Sequence, residues 1–398
     1  MGSSIKIIKK LRKKHHMRYE KINPIQQFNF QINRILTYGE IAADVNTVRK
    51  KTAKIRTFDE WQNVWSDMGK LAEQKSEFLR AAYCFRMAEF FLKEGDTQKD
   101  LLYQRCVNCF YKAFDIELQF AYEKYNIPIK EKFLNCIRMR VPHSKGTVLV
   151  CGGYDSFIEE FVFQVHSLAL KNYDVILFEG AGQGRCLKQN LYFQYNFENF
   201  TSAILDFFKI KDCAIVGISW GGYFAMRSAA FEKRIKAVVA YDVMDNGFEV
   251  MTHIFPSVLC KIIREAYAHK NAKVVNGLVN KIRRKSILAD WAFSQGMYIT
   301  GTATPYDFYV NISKHTLNGI TPQITQDVLL LAGEKDHYIP SQQFYRLKKN
   351  LPNVHSLTCR MFTESEGGEQ HCQIGNHLIA INYIIDWLDK YFKAGSKR

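Results

Sequence analysis

No apolar run in this chain approaches the length of a membrane span, and its Lys-rich leader has neither an uninterrupted apolar region nor a small-residue cleavage site. A soluble, cytoplasmic protein without a transmembrane segment is expected. Acidic residues are missing before Glu20, whereas Lys6, Lys9, Lys10, Arg12, Lys13, Lys14 and Arg18 precede it, so the leader carries seven of the sixteen net positive charges. Residues 1–20 read as a solvated, mobile basic arm. Nucleic acid or an anionic membrane surface is the rival partner for such an arm; aromatic interleaving and a DNA-binding motif are both lacking, so the solvated reading is preferred and no nucleic acid is expected. Position 6 holds lysine where myristoylation needs serine or threonine. Ten cysteines are scattered, and Cys106-x-x-Cys109 has no second pair and no nearby histidines, which argues for reduced, packed thiols over a zinc site or disulfide framework. Repeats and low-complexity tracts are absent as well.

What is present is enough apolar material, 47% of 398 residues, to fill a sizeable core. Between residues 21 and 125 glycine and proline are scarce and apolar positions recur at helical spacing, as in Trp61, Val64, Trp65 and Met68. The spacing predicts a helical module of roughly a hundred residues with Gly95-Asp96 as a turn. Its aromatic stripe, Phe85, Phe90, Phe91, Tyr103, Phe110, Tyr111 and Phe114, reads as core, with a substrate pocket as the rival reading.

From Tyr125-Asn126-Ile127-Pro128 onward the apolar runs shorten. Residues 147–151, 174–178, 213–216, 236–240 and 328–332 read as buried parallel strands separated by crossover helices, which makes a doubly wound α/β sheet. The core is expected over residues 126–245 and 326–398, with a helical insertion, or lid, at 246–325 after the strand ending near Tyr241. Within it, helices are predicted around 256–268, 273–287 and 305–317. The basic run Lys281-Ile282-Arg283-Arg284-Lys285 there reads as a solvated helix face or as an attraction for anionic substrates.

One stretch carries chemistry. Gly217-Ile218-Ser219-Trp220-Gly221 joins a strand pattern to a helix pattern through small residues, so that Ser219 is pushed out on a sharp turn, a nucleophile elbow. Serine needs a base within hydrogen-bond reach and a third group to orient that base. Asp336 stands in the loop behind the fifth of these strands, with Glu334 as its competitor. His371 follows the last strand pattern, at 355–362, with His337, His355 and His377 as rivals. Backbone N–H groups of Trp220 and Tyr154, the latter in Gly152-Gly153-Tyr154-Asp155-Ser156, are expected to form the oxyanion hole. No cofactor and no metal are expected, since no ligand set surrounds Cys372.

The segments Gly-Gly-Tyr-Asp-Ser-Phe-Ile-Glu-Glu (152–160), Phe-Glu-Gly-Ala-Gly-Gln-Gly (178–184), Gly-Ile-Ser-Trp-Gly-Gly (217–222) and Glu-Gln-His-Cys-Gln-Ile-Gly (369–375) resemble the α/β-hydrolases that include 2,6-dihydroxypseudooxynicotine hydrolase and fungal pigment enzymes that shorten polyketide chains. More distantly the chain is similar to fermentation-respiration-switch-type esterases. The resemblance spans about residues 28–392. It implies an α/β-hydrolase fold whose helical N-terminal module is a cap, and Ser219, Asp336 and His371 as the triad. It implies a small-molecule carbonyl substrate, cleaved at a carbon–carbon bond of a β-diketone or polyketide-like compound, with ester or thioester hydrolysis as the alternative. A non-catalytic binding protein of the same fold would be marked by a lost triad member. Asp155, Glu159 and Glu160 match the family's pattern, either touching substrate or holding the caps. Glu179 stands where many relatives have aspartate, and Ala181 where proline is usual. A homodimer is left open.

Overall fold

The computed structural model describes residues 18–395, so most of the basic arm lies outside the described residues. Two compact units are present, one built mainly from residues up to Ala121 with short pieces of 365–379, the other from Tyr122 onward.

The first unit is helical, with helices at Gln26–Leu36, Val45–Thr52, Phe58–Gln74, Phe78–Phe90 and Thr97–Lys112. Their ends follow local chemistry. Thr57 and Glu60 form a reciprocal capping box that satisfies amides at the start of the third helix, and Asp96 caps the fifth directly after Gly95, whose φ of 85° is cheap only for glycine. The aromatic stripe is core: Phe85, Phe90, Phe91, Tyr103, Phe110 and Phe114 are all buried, and Tyr111 packs edge-on against Phe114. Buried charge is compensated, since Glu89 receives Arg86 at 2.6 Å and Lys99 at 2.8 Å.

The second unit is an eight-stranded sheet in the order β1-β2-β4-β3-β5-β6-β7-β8. Strands β3 (Thr147–Cys151), β4 (Asp174–Phe178), β5 (Cys213–Ile218), β6 (Ile235–Tyr241), β7 (Asp327–Gly333) and β8 (Ser356–Phe362) run parallel. Those at the centre are buried on both faces, which is why they read as continuous apolar runs. At one edge β1 (Glu123–Ile129) and β2 (Lys132–Met139) form an antiparallel hairpin that sequence reading missed. Residues 122–125 therefore do not close the helical module. Strand β1 contains Pro128 and is mostly solvent-facing, so it lacks the apolar signal of a central strand and tolerates the proline as an edge.

The segment between β6 and β7 is helical, at Gly247–His253, Ser257–Ala268, Ala272–Arg283, Ile287–Thr300 and Pro305–Ile312. The helix expected at 273–287 stops short, and a second one, Ile287–Thr300, was not expected. The first ends at Arg283, and Ser286 starts the second by accepting from the Ala289 amide. The two ends of this insertion are stitched together where Leu317 donates to the Asp245 carbonyl at 2.8 Å and Gly247 to that of His315 at 2.8 Å.

Candidate active site

Strand β5 ends at Ile218 and a helix begins at Gly221, leaving two residues to reverse the chain. A turn this tight puts Ser219 at φ 62°, a left-handed conformation rare for a side chain larger than glycine's, and fixes it with a 2.5 Å hydrogen bond to the Tyr241 carbonyl. The surrounding glycines are obligatory. A Cβ on Gly217 would collide with the Gly221 carbonyl, and one on Gly222 with that of Asp242. The strain holds the Ser219 hydroxyl clear of the sheet.

That hydroxyl lies 2.8 Å from His371 Nε2, and His371 Nδ1 lies 2.6 Å from Asp336 Oδ2. The other Asp336 oxygen accepts the amides of Tyr338 (2.8 Å) and Ile339 (3.0 Å), so loop backbone fixes the carboxylate. Burial alone would disfavour the imidazolium, but the Asp336 carboxylate outweighs it and holds His371 well above the usual imidazole range. Burial likewise opposes ionisation of Asp336, and His371 with the two amides overrides it, keeping the acid below the usual carboxylate range. The rivals lie elsewhere. Glu334 is exposed and accepts from the Glu364 amide; His355 bonds Asp327, His377 contacts Thr37, and His337 packs on Tyr338.

The nominated amides flank the serine. A Cβ on Gly153 would sit 2.5 Å from the Trp220 nitrogen and 3.0 Å from Ser219 Cβ, so the Gly152-Gly153-Tyr154 loop runs against the elbow and only glycine fits. Neither the Trp220 nor the Tyr154 amide donates to another backbone group among the described residues. Gln183 supports the loop from below: its Nε2 donates to the carbonyls of Gly152 and Gly153, both at 2.8 Å. Sequence reading quoted Gln183 within a motif and gave it no role.

Asp155, Glu159 and Glu160 divide. Gln295 of the insertion donates to Asp155 at 2.8 Å, so this aspartate ties the insertion to the loop. Glu159 and Glu160 are buried in the first turn of helix Ile158–Leu170. Burial, then the neighbouring Glu159, pushes Glu179 up to about 8, while the Ile158 and Arg185 amides donate to it at 3.2 and 2.8 Å. Glu179 thus joins the end of β4 to the start of helix Ile158–Leu170.

Two further residues were missed. Asp242, buried directly after β6, accepts from the Cys372 amide at 2.6 Å and approaches His371 Nδ1 at 3.3 Å, a second carboxylate beside the base. Its signal was its place at the carboxyl end of the strand next to β5. Asp242, His371 and Cys372 bring a carboxylate, a ring nitrogen and a thiol within 4.8 Å of one another. Their chemistry fits a proton network better than a metal site, because Ser219 and Asp336 engage both ring nitrogens and burial keeps the Cys372 thiol protonated. The second is His315, wholly buried, whose Nδ1 accepts from the Trp220 indole at 3.1 Å and whose ring stacks on Phe193. Burial, then nearby Arg227, depresses it to about 3, so it is neutral with its proton on Nε2. It links the return end of the insertion to the residue after the serine.

Comparison with known proteins identifies the fold family. The alpha/beta hydrolase fold family matches residues 147–366, more than half of the chain. Among curated relatives, hydrolase acrC of Aspergillus aculeatus is 25% identical over 363 residues, covering 82% of this chain and 83% of that protein. Hydrolase LUC6 of a Fusarium species is 25% identical over 414 residues, covering 93% and 98%. Among solved structures, 2,6-dihydroxy-pseudo-oxynicotine hydrolase superposes with a TM-score of 0.68 at 18% identity, over 91% of this chain and 96% of that one. AbyA5 follows the same fold at a TM-score of 0.64 and 14% identity, over 88% and 90%.

Proposed function

The chain belongs to the alpha/beta hydrolase fold family, and we propose that it is a serine hydrolase cleaving a carbon–carbon bond beside a ketone in a small β-diketone or polyketide-like substrate. The observation that carries the serine-hydrolase part of this reading is the unbroken chain Ser219 Oγ, His371, Asp336, at 2.8 and 2.6 Å, with the Trp220 and Tyr154 amides to spare; the likeness to 2,6-dihydroxy-pseudo-oxynicotine hydrolase supports the carbon–carbon part.

Ser219 attacks the carbonyl as His371 takes its proton. Asp336 steadies the imidazolium that forms, and Asp242 sets a second carboxyl oxygen 3.3 Å from the same nitrogen. The Trp220 and Tyr154 amides receive the developing oxyanion. His371 then returns the proton to the departing carbon, which leaves readily only when a second carbonyl or a phenol ring stabilises its charge. Water, activated by the same histidine, releases the acyl group and regenerates the serine. No cofactor enters the sequence of steps.

An ester or thioester would pass through the same acyl-enzyme with a better leaving group. Residues beyond the triad select among these substrates, and the insertion, tied to the oxyanion loop by Gln295 and Asp155, is where that selection is proposed to reside. Ten free cysteines support an intracellular setting.

Turnover of a panel of β-diketones, thioesters and aryl esters by the wild type and His371→Ala tests the reading. Diketone cleavage that disappears in the variant is expected. Rapid ester turnover with no diketone cleavage rejects the carbon–carbon assignment and leaves an esterase.

A further inference from the structure

Between Ile254 and Ile287 the insertion carries eight lysines and arginines against one acidic residue, Glu265. Some of this charge is used internally: Arg283 bonds Asp290 at 3.0 Å, Arg264 donates to Thr252 at 2.9 Å, and Glu265 is taken by His269. Lys261, Lys270, Lys273, Lys281, Arg284 and Lys285 are exposed, and none has an ion-pair partner among the described residues. Helices Ser257–Ala268 and Ala272–Arg283, which carry Lys261, Lys273 and Lys281, bury their inner sides through Ile263, Val275 and Val279.

Their outer side is not purely polar. Val258 and Ile262, four residues apart on the first of these helices, share one face, and Val258 is 70% exposed, while Ile254 is exposed in the turn before it. Val274 and Ile287 are exposed as well, the latter at 54%. Branched aliphatic side chains held in water beside unpaired lysines are costly for a merely solvated face. Gly277, on the second helix, has open space above it, so none of the described residues covers this surface there.

We propose that this helical hairpin docks on the surface of a lipid bilayer bearing anionic headgroups. The aliphatic stripe enters the headgroup boundary while the lysines, extended along their stems, reach the lipid phosphates and carboxylates. The composition sets other partners aside. Nucleic acid would meet the cations with its phosphates but offers nothing to the aliphatic side chains beside them. A second copy of the chain would bring six cations against six. The insertion leaves the sheet at the carboxyl end of β6, the edge at which Ser219 stands, so docking occurs on the side of the molecule that holds the candidate site.

Co-flotation of the full chain with phosphatidylcholine vesicles, with and without phosphatidylserine, tests this. The wild type is expected to float with the anionic vesicles and to be released by salt. Val258→Ser with Ile262→Ser, and separately Lys273→Glu with Lys281→Glu, should each weaken binding by at least about tenfold while melting at the wild-type temperature. A full-length variant with the seven basic residues before Glu20 changed to glutamine should still bind. The proposal is overturned if the wild type ignores anionic vesicles at low salt, or if both hairpin variants float as before while the arm variant does not. Capture by polynucleotide or an acidic protein that survives Val258→Ser with Ile262→Ser, without vesicle binding, also overturns it.

Discussion

Two buried acidic residues, Asp336 and Glu179, behave in opposite ways. Asp336 is buried and ionised: an imidazole and two amides face it, and its proton affinity falls. Glu179 is buried too, but burial and then the charge of another acid, Glu159, raise its proton affinity to about 8. Burial is the first influence on both and pushes both the same way; the partner decides the outcome. One carboxylate is thereby available to stabilise a positive charge that appears during a reaction. The other is a neutral hydrogen-bonding group that holds strand end, helix start and loop together.

If that division is right, substitutions at the two sites separate activity from stability. The largest effect belongs to His371→Ala, for which kcat should fall by about 10⁴-fold or more with the melting temperature little changed. Asp336→Asn should cost about 10³- to 10⁴-fold by allowing the wrong imidazole tautomer. Asp242→Asn should cost less, since Asp242 stands 3.3 Å from the ring nitrogen where Asp336 stands at 2.6 Å. By contrast Glu179→Gln, which replaces one neutral group by another, should leave kcat within about threefold, as expected for a group that touches no reacting atom. A large loss of kcat in Glu179→Gln with an intact fold would break the comparison. Gly153→Ala, which places a methyl group 2.5 Å from the Trp220 amide, should lower kcat by about 10²-fold, the usual cost of one oxyanion donor.

The smallest effects are slopes of stability against pH. Glu179 binds its proton more tightly folded than unfolded, so stability falls as pH rises from about 4.5 towards 8, and Glu179→Gln should flatten that limb. His315 is the reverse: depressed to about 3 from 6.5, it loses stability as pH falls between those values, by up to about 1.4 kcal/mol per pH unit. Denaturant titrations of His315→Gln across that window should show a shallower acid limb. An unchanged limb would mean that His315 is protonated in the folded protein.

The parallel strands were legible because burial on both faces leaves an uninterrupted apolar run, and Ser219, Asp336 and His371 because each stands at a strand's carboxyl end in the order such a site requires. The hairpin β1-β2 was not, since an exposed edge strand with a proline has no such run. Gln183, Asp242 and His315 act through contacts with residues 30, 130 and 95 positions away, at Gly153, Cys372 and Trp220, and nothing in their own neighbourhood announces them. The charge of the insertion was plain in the sequence, whereas the aliphatic stripe beside it emerged only once the inner and outer faces of its helices were known.

Reaction with a fluorophosphonate probe across pH addresses the central claim most directly. The account predicts one label per chain, on Ser219, absent in Ser219→Ala, with a rate that rises with pH and reaches half its maximum above 6.5, because Asp336 holds His371 protonated beyond its ordinary range. Labelling that survives Ser219→Ala, or a wild-type enzyme that turns over substrate without reacting at Ser219, would contradict it.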